Sequence, residues 1–179
     1  MDIELSKQDR DILKTIARET LAARLEHRSP VYPEHSRALE KRYGIFVTIK
    51  VHGQLRGCIG RMSSNQPLIE TVKDMALAAG FEDPRFPPLS HNELSLLEIE
   101  ITILGPLEPL SPPDNFTLGI HGLFIASHGR SGVLLPQVAV EYGWNKTEFL
   151  QHVCLKAGLP PETWKSPDVV LYRFEGTVF

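Results

Sequence analysis

The stretch Ile45-Phe46-Val47-Thr48-Ile49-Lys50-Val51-His52-Gly53-Gln54-Leu55-Arg56-Gly57-Cys58-Ile59-Gly60-Arg61 decides the fold. Ile45, Val47, Ile49 and Val51 alternate with Phe46, Thr48, Lys50 and His52, the period-two pattern of a half-buried strand. Gly53-Gln54 reads as a tight turn. The return strand then begins at Leu55 and runs into Gly57-Cys58-Ile59-Gly60. A hairpin pairs its strands antiparallel, which sets the character of the sheet.

On the N-terminal side, Ser6 to about Arg28 reads as one long helix. Leu13, Ala17, Leu21 and Leu25 recur every four residues, with charged residues between them. Ser6 with Asp9 forms a capping-box pattern, and Ser29-Pro30 ends the helix. On the C-terminal side, Pro67 opens a second helix with a Leu68, Val72, Met75 and Ala79 stripe, and Gly80 suits a left-handed C-terminal position. Asp83-Pro84-Arg85-Phe86-Pro87-Pro88 is too rich in proline for a helix. Leu97 to Ile103 alternates as a strand, and residues 105–116 form a Pro-rich loop. Leu123–Ala126 and Gly132–Leu135 make a second hairpin over His128-Gly129-Arg130-Ser131. Pro136 starts a short helix that Gly143 ends. Asn145 with Glu148 caps another helix, which stops at Gly158. Val169–Phe174 is the last strand.

This order gives an α+β fold, an antiparallel sheet packed with helices, rather than a doubly wound α/β fold. The 179 residues form one domain. Within it, residues 53–90 are expected to pack as a smaller subdomain and the remainder as a larger one, with a cleft between them as the natural site.

Composition narrows the function. Nineteen basic and 22 acidic residues give a net charge of −3, which argues against a broadly basic nucleic-acid binder. The charge is uneven: twelve basic and eight acidic residues precede Met62, against seven and fourteen from there on. Six of those twelve basic residues sit in the first helix, as a solvated basic face. The sharper expectation is a local positive site at Arg56 and Arg61 for an anionic ligand. Two cysteines are too few for a disulfide scaffold. Met1-Asp2-Ile3-Glu4 lacks the basic start of a signal peptide, and no run of 18 apolar residues exists. These features point to a reduced, cytoplasmic protein. The metal and nucleotide templates C-x-x-C, H-E-x-x-H, Walker A and G-x-G-x-x-G are absent. The seven histidines are scattered, so no metal site is expected. Gly57-Cys58-Ile59-Gly60 matches the G-x-x-G string of an RNA-binding loop, but that loop joins two helices and this stretch lies in a hairpin.

What remains is Cys58, framed by Gly57 and Gly60 and by Arg56 and Arg61. Flanking glycines leave a thiol sterically open and let N–H groups converge on an anion. Nearby arginines favour thiolate. The alternative is a small buried cysteine beside two turn glycines. Arg85, held in the proline segment with Asp83, can fork onto a carboxylate or phosphate. Equally, Asp83 can start an Asx turn that Arg85 ties down. His121, between Gly119 and Gly122, is a candidate base for Cys58 or a turn histidine. Cys154, on a helix beside Phe149, Leu150 and Val153, is expected in the core. Glu98 and Glu100 read as a solvated strand face, and Trp144 and Trp164 as core or interface anchors.

Leu55-Arg56-Gly57-Cys58-Ile59-Gly60, Asp83-Pro84-Arg85-Phe86-Pro87-Pro88-Leu89, His121-Gly122, Leu135-Pro136-Gln137-Val138-Ala139 and Gly143-Trp144, in this order, resemble the AMMECR-one domain family. The resemblance covers roughly residues 43–179. It implies an α+β fold with two subdomains and the Arg-Gly-Cys segment near the cleft. It also implies a single-domain prokaryotic form, found with a Memo-like protein and a radical S-adenosylmethionine protein in a pathway that modifies RNA or another biopolymer. On the matching motifs it adds Gln137 to the site. Two functions then compete. In one, the chain is an enzyme or enzyme component: Cys58 is the nucleophile or thiol ligand, His121 moves a proton, and Arg56, Gly57, Gly60, Asp83, Arg85 and Gln137 bind substrate. In the other, it is a non-catalytic module that presents the cleft to a protein or nucleic-acid partner. No cofactor is specified by either.

Overall fold

The computed structural model describes residues 5–179; the Met1–Glu4 segment read above for a leader lies outside them. Backbone contacts divide the chain into two units. One runs to Leu104 and takes in Thr177–Phe179, and the other is Gly105–Gly176. The class is α+β, with antiparallel strands throughout.

The first unit begins with α1 (Lys7–Leu25), capped by the Ser6–Asp9 box. The Ser36 hydroxyl donates to Asp9 at 2.6 Å and ties the following loop to the helix start. The helix closes earlier than Pro30 suggests: Glu26 is its C-cap and His27 takes φ 53°. β1 (Gly44–Val51) and β2 (Gln54–Arg61) form the expected hairpin. Its turn is His52-Gly53, both residues at positive φ, one position earlier than read from sequence. β3 (Leu97–Leu104) lies antiparallel on the other side of β1. Ile101 and Phe179 exchange backbone hydrogen bonds at 2.9 and 3.1 Å. Ile45, Val47, Ile49, Ile101 and Ile103 are fully buried with the apolar stripes of α1 and α2 (Leu68–Phe81).

Gly80 departs from the expected role. It is buried inside α2, not left-handed at its end, and a Cβ there would press on Leu21 and Leu89 at 2.8 and 2.9 Å. The glycine admits close packing rather than a turn. Residues 53–90 lie within this unit, where β2 is laddered to β1 and α2 packs on both strands.

The second unit is a four-stranded antiparallel ladder in the order β4 (Glu108–Pro109), β7 (Val170–Val178), β5 (His121–Ser127) and β6 (Arg130–Leu134). The short β4 sits inside the segment read as loop. β7 runs past Phe174, and its last residues belong to the first unit. The β5–β6 turn is His128-Gly129, again with two positive φ values. α3 (Pro136–Glu141) and α4 (Lys146–Lys156) pack on this ladder. Asn145 and Glu148 form the expected capping box, and Gly143 and Gly158 end their helices as read, both at positive φ. Phe149, Leu150, Val153 and Cys154 fill the second core. Among the described residues no helix is long and apolar enough to cross a membrane.

Candidate functional site: a clamped cysteine on an edge strand

Cys58 lies on β2, the outer strand of the β2-β1-β3 ladder. A β-bulge sets its position. Lys50 pairs with Leu55 but Ile49 pairs with Gly57, so Arg56 is the extra residue. Beyond the bulge Cys58 stands opposite Thr48, while Gly57 stands opposite buried Ile49. Side chains alternate between faces, so Gly57 faces the helices and Cys58 faces away from them.

The two glycines have different tasks from the nest expected of them. Both are in extended strand, not at positive φ. A Cβ at Gly57 would overlap the backbone carbonyl of Ala79 on α2. A Cβ at Gly60 would overlap the Phe46 ring and the Ile45 carbonyl. They let a helix and an aromatic ring approach the strand. The Cys58 N–H does not converge on an open anion site: it donates to Asp83 Oδ2 at 2.9 Å.

Asp83 and Arg85 close the strand edge together. Arg85 donates from Nε and Nη2 to the Asp83 carboxylate at 2.9 and 2.7 Å, and from Nη2 to the Cys58 carbonyl at 3.3 Å. The Arg85 N–H also donates to Asp83 Oδ1 at 3.1 Å, which is the Asx turn anticipated from sequence. Asp83 is buried, whereas Arg85 keeps 48% of its side chain exposed. The guanidinium hydrogen bonds, then the Cys58 and Arg85 N–H groups, hold the Asp83 carboxyl far below its ordinary range against the cost of burial. Asp83 in turn raises the Arg85 pKa, with a smaller contribution from Cys58.

The thiol itself is half-buried. The buried Thr48 hydroxyl donates to its sulfur at 3.2 Å. Thr48 was not singled out from sequence. The signal for it was cross-strand pairing, which becomes correct only when the bulge is counted.

Arg56 is committed to the scaffold. Its Nε and Nη2 donate to Glu93 at 2.6 and 3.2 Å, and its guanidinium also caps the carbonyls of Pro87 and Pro88. Glu93 is drawn down to about 2 by this guanidinium, helped by the Ser90 donors at the start of the short 3-10 helix His91–Leu96. Arg61 faces Asp74 at 3.8 Å with both side chains largely exposed. The positive pair expected from sequence is therefore offset by two acids, and Arg85 is the cation held next to Cys58. Glu98 takes the Gly53 N–H and Glu100 pairs with Lys50, so neither is an acid/base partner for the other.

His121 and Gln137 belong to the second unit. His121 Nδ1 accepts the Thr117 N–H at 2.9 Å. In the neutral ring this places the proton on Nε2, a donor rather than a base. Gln137 lies in the first turn of α3, and its Oε1 is buried without a hydrogen-bond partner among the described residues. Cys154 is fully buried, and burial raises its pKa, as expected of an inert core thiol. Among the described residues no three His, Cys, Asp or Glu side chains gather as a metal site.

An antiparallel α+β protein with a cysteine clamped on an edge strand by an Asp-Arg pair is the class that fold and site define. The family model of AMMECR1, the AMMECR-one family named above, matches residues 14–179, and the chain belongs to that family. It is 41% identical to a protein of Methanopyrus kandleri, over all of this chain and 91% of that one. It is 42% identical to a protein of Nanoarchaeum equitans, over 93% of this chain and 97% of the other. The crystal structure of an uncharacterized protein from Pyrococcus horikoshii superposes with a TM-score of 0.91 at 33% identity, covering 97% of this chain and 92% of that one.

Proposed function

We propose that the chain works through the Cys58 thiol as an enzyme or enzyme component acting on an anionic group. The observation that carries this reading is the treatment of Cys58. Its backbone donor and acceptor are both held by side chains, and its sulfur receives the Thr48 hydroxyl while remaining half-buried. A structural cysteine needs none of these contacts. A reacting sulfur needs a fixed position, because rate depends on orientation. Arg85 supplies a partly exposed cation beside it, suited to a phosphate or carboxylate. Arg56 and Glu93 brace the proline segment that carries Arg85. A place in the modification of RNA or another biopolymer, with Memo-like and radical S-adenosylmethionine proteins as partners, is part of this proposal through the family resemblance.

The second reading is a binding module, favoured by the exposure of Arg85. Iodoacetamide labelling against pH tests the first, with Cys154 as the internal control. Cys58 is expected to alkylate at neutral pH and Cys154 to stay protected until the chain unfolds. Equal labelling of the two in the folded protein would sink the thiol reading. In the binding module, Cys58→Ser keeps partner capture and Arg85→Ala loses it; in the thiol reading Cys58→Ser also abolishes turnover.

A further inference from the structure

β1 turns Ile45, Val47 and Ile49 into the core of the first unit, which puts Thr48 on the opposite face. There it is 6% exposed, so its hydroxyl needs an acceptor within the protein. Among the described residues that acceptor is the Cys58 sulfur at 3.2 Å. The bulge at Arg56 makes the contact, because the extra residue sets Cys58 opposite Thr48. Side chains opposed across an antiparallel ladder lie within reach of each other. Threonine is stiff at χ1, so the hydroxyl has little freedom to turn elsewhere. The Asp83 and Arg85 hydrogen bonds fix the backbone from which the thiol projects.

The two forms of that sulfur are not equal acceptors. A thiol sulfur accepts weakly, whereas a hydrogen bond to an ionised acceptor is about twice as strong as a neutral one. A fixed, buried donor therefore favours the thiolate. The charged side chains around the row are matched with one another. Arg85 pairs with Asp83 at the strand edge, Lys50 with Glu100 across β1 and β3, and Arg56 with Glu93. Glu98 holds the Gly53 N–H, and Arg61 pairs with Asp74 on α2. The neutral hydroxyl is a contribution separate from these charges. Cys154 shows the opposite balance. It too receives hydrogen bonds, from the backbone of Trp164 and Thr163, but full burial outweighs them and pushes its thiol up. Cys58 is only half-buried.

We infer that Thr48 is a positioning residue of the Cys58 site: its hydroxyl orients the sulfur and stabilises it as the thiolate. The inference rests on the thiol reading above and adds to it a residue and a means of activation.

Alkylation of the full chain with iodoacetamide across about pH 5 to 10 tests it, with the labelled Cys58 and Cys154 peptides measured separately by mass spectrometry. Alkylation reports the thiolate, because its electron pair forms the S–C bond as iodide leaves. Thr48→Val keeps the branched shape and removes the donor. It is expected to raise the midpoint of the Cys58 profile by about one pH unit. Thr48→Ser keeps the hydroxyl and is expected to restore the parent midpoint. Where the valine variant does not fold, Thr48→Ala read against Thr48→Ser makes the same comparison. A Cys58 no more reactive than Cys154 in the parent chain would overturn the thiol reading and this inference together. A reactive Cys58 whose midpoint stays put in Thr48→Val, or moves as far in Thr48→Ser, would overturn this inference alone.

Discussion

Asp83 accepts the backbone N–H of Cys58 at 2.9 Å, although 25 residues separate them in the chain. A carboxylate here occupies the place a neighbouring strand would take, and Arg85 covers the adjacent carbonyl. The pair therefore seals part of an edge that would otherwise invite another chain. It also transmits any change in the proline segment to the backbone of the cysteine.

Asp83→Ala removes the acceptor of the Cys58 N–H and the partner of Arg85. The expected loss is about 2 kcal/mol, the scale of leaving the Cys58 N–H without its acceptor, read as a lowered urea midpoint. Asp83→Asn keeps the shape and one acceptor, and is expected to cost roughly half as much. A midpoint within error of the parent for Asp83→Ala would show that the clamp contributes nothing.

Like Asp9 and Glu19, the Asp83 and Glu93 carboxyls help set the acid limit of the fold. Both carboxyls are lowered on folding, Glu93 from 4.5 to about 2. A lowered folded pKa stabilises the native state above the unfolded value and loses that stability as pH falls through the folded one. Stability is therefore expected to be flat from neutral pH down to about 5 and to fall steadily between about 4.5 and 2. Glu93→Gln, which cannot ionise, is expected to be less stable at neutral pH and to show a shallower acid slope. Chemical denaturation at a series of pH values measures both. An unchanged slope would mean that Arg56 and Glu93 do not pair in solution.

Part of this arrangement was legible in the sequence and part was not, for identifiable reasons. The hairpins, the capping boxes at Ser6 and Asn145 and the left-handed Gly143 and Gly158 are local features, and local patterns report them. The partner of Arg56 is not local, yet it had a signature: Ser90-x-x-Glu93 is itself a capping box, and it fixes Glu93 where the guanidinium reaches it. Thr48 was hidden by the bulge. With the His52-Gly53 turn and no bulge it would face Gly57, and one extra residue places it opposite Cys58. Gly57, Gly60 and Gly80 looked like turn glycines because a sequence cannot show which backbone or ring will approach them. β4 is two residues long, too short to carry a period.

Gly57→Ala tests that close approach. The added methyl meets the Ala79 carbonyl, and a helix backbone cannot swing aside as a side chain can. A loss of about 3 kcal/mol is expected, at the upper end of overpacking costs. Gly60→Ala meets the Phe46 ring as well as backbone, so Phe46→Ala should partly relieve it. A double-mutant cycle between positions 46 and 60 is expected to show coupling of about 1 kcal/mol. Additive effects would mean that Gly60 is kept for some other reason than the ring.

The hairpin turns offer the contrasting case, a glycine kept for conformation alone. Gly53 and Gly129 have positive φ, and a methyl added at either would have nothing within 4 Å of it, so space is no obstacle. Replacement by alanine then costs only the left-handed backbone, about 1 kcal/mol. Asparagine, which tolerates that region, is expected to cost less. His52 precedes Gly53 at φ 52° and bears the same strain without glycine's freedom. His52→Asn should raise stability by about 0.5 kcal/mol and sharpen the turn, since Asn-Gly suits two positive φ values in succession. Thermal melts of the variants at positions 52, 53 and 129 check the ordering. A stabilising Gly53→Ala, or a destabilising His52→Asn, would rule out the two-residue turn and with it the register that brings Thr48 to Cys58.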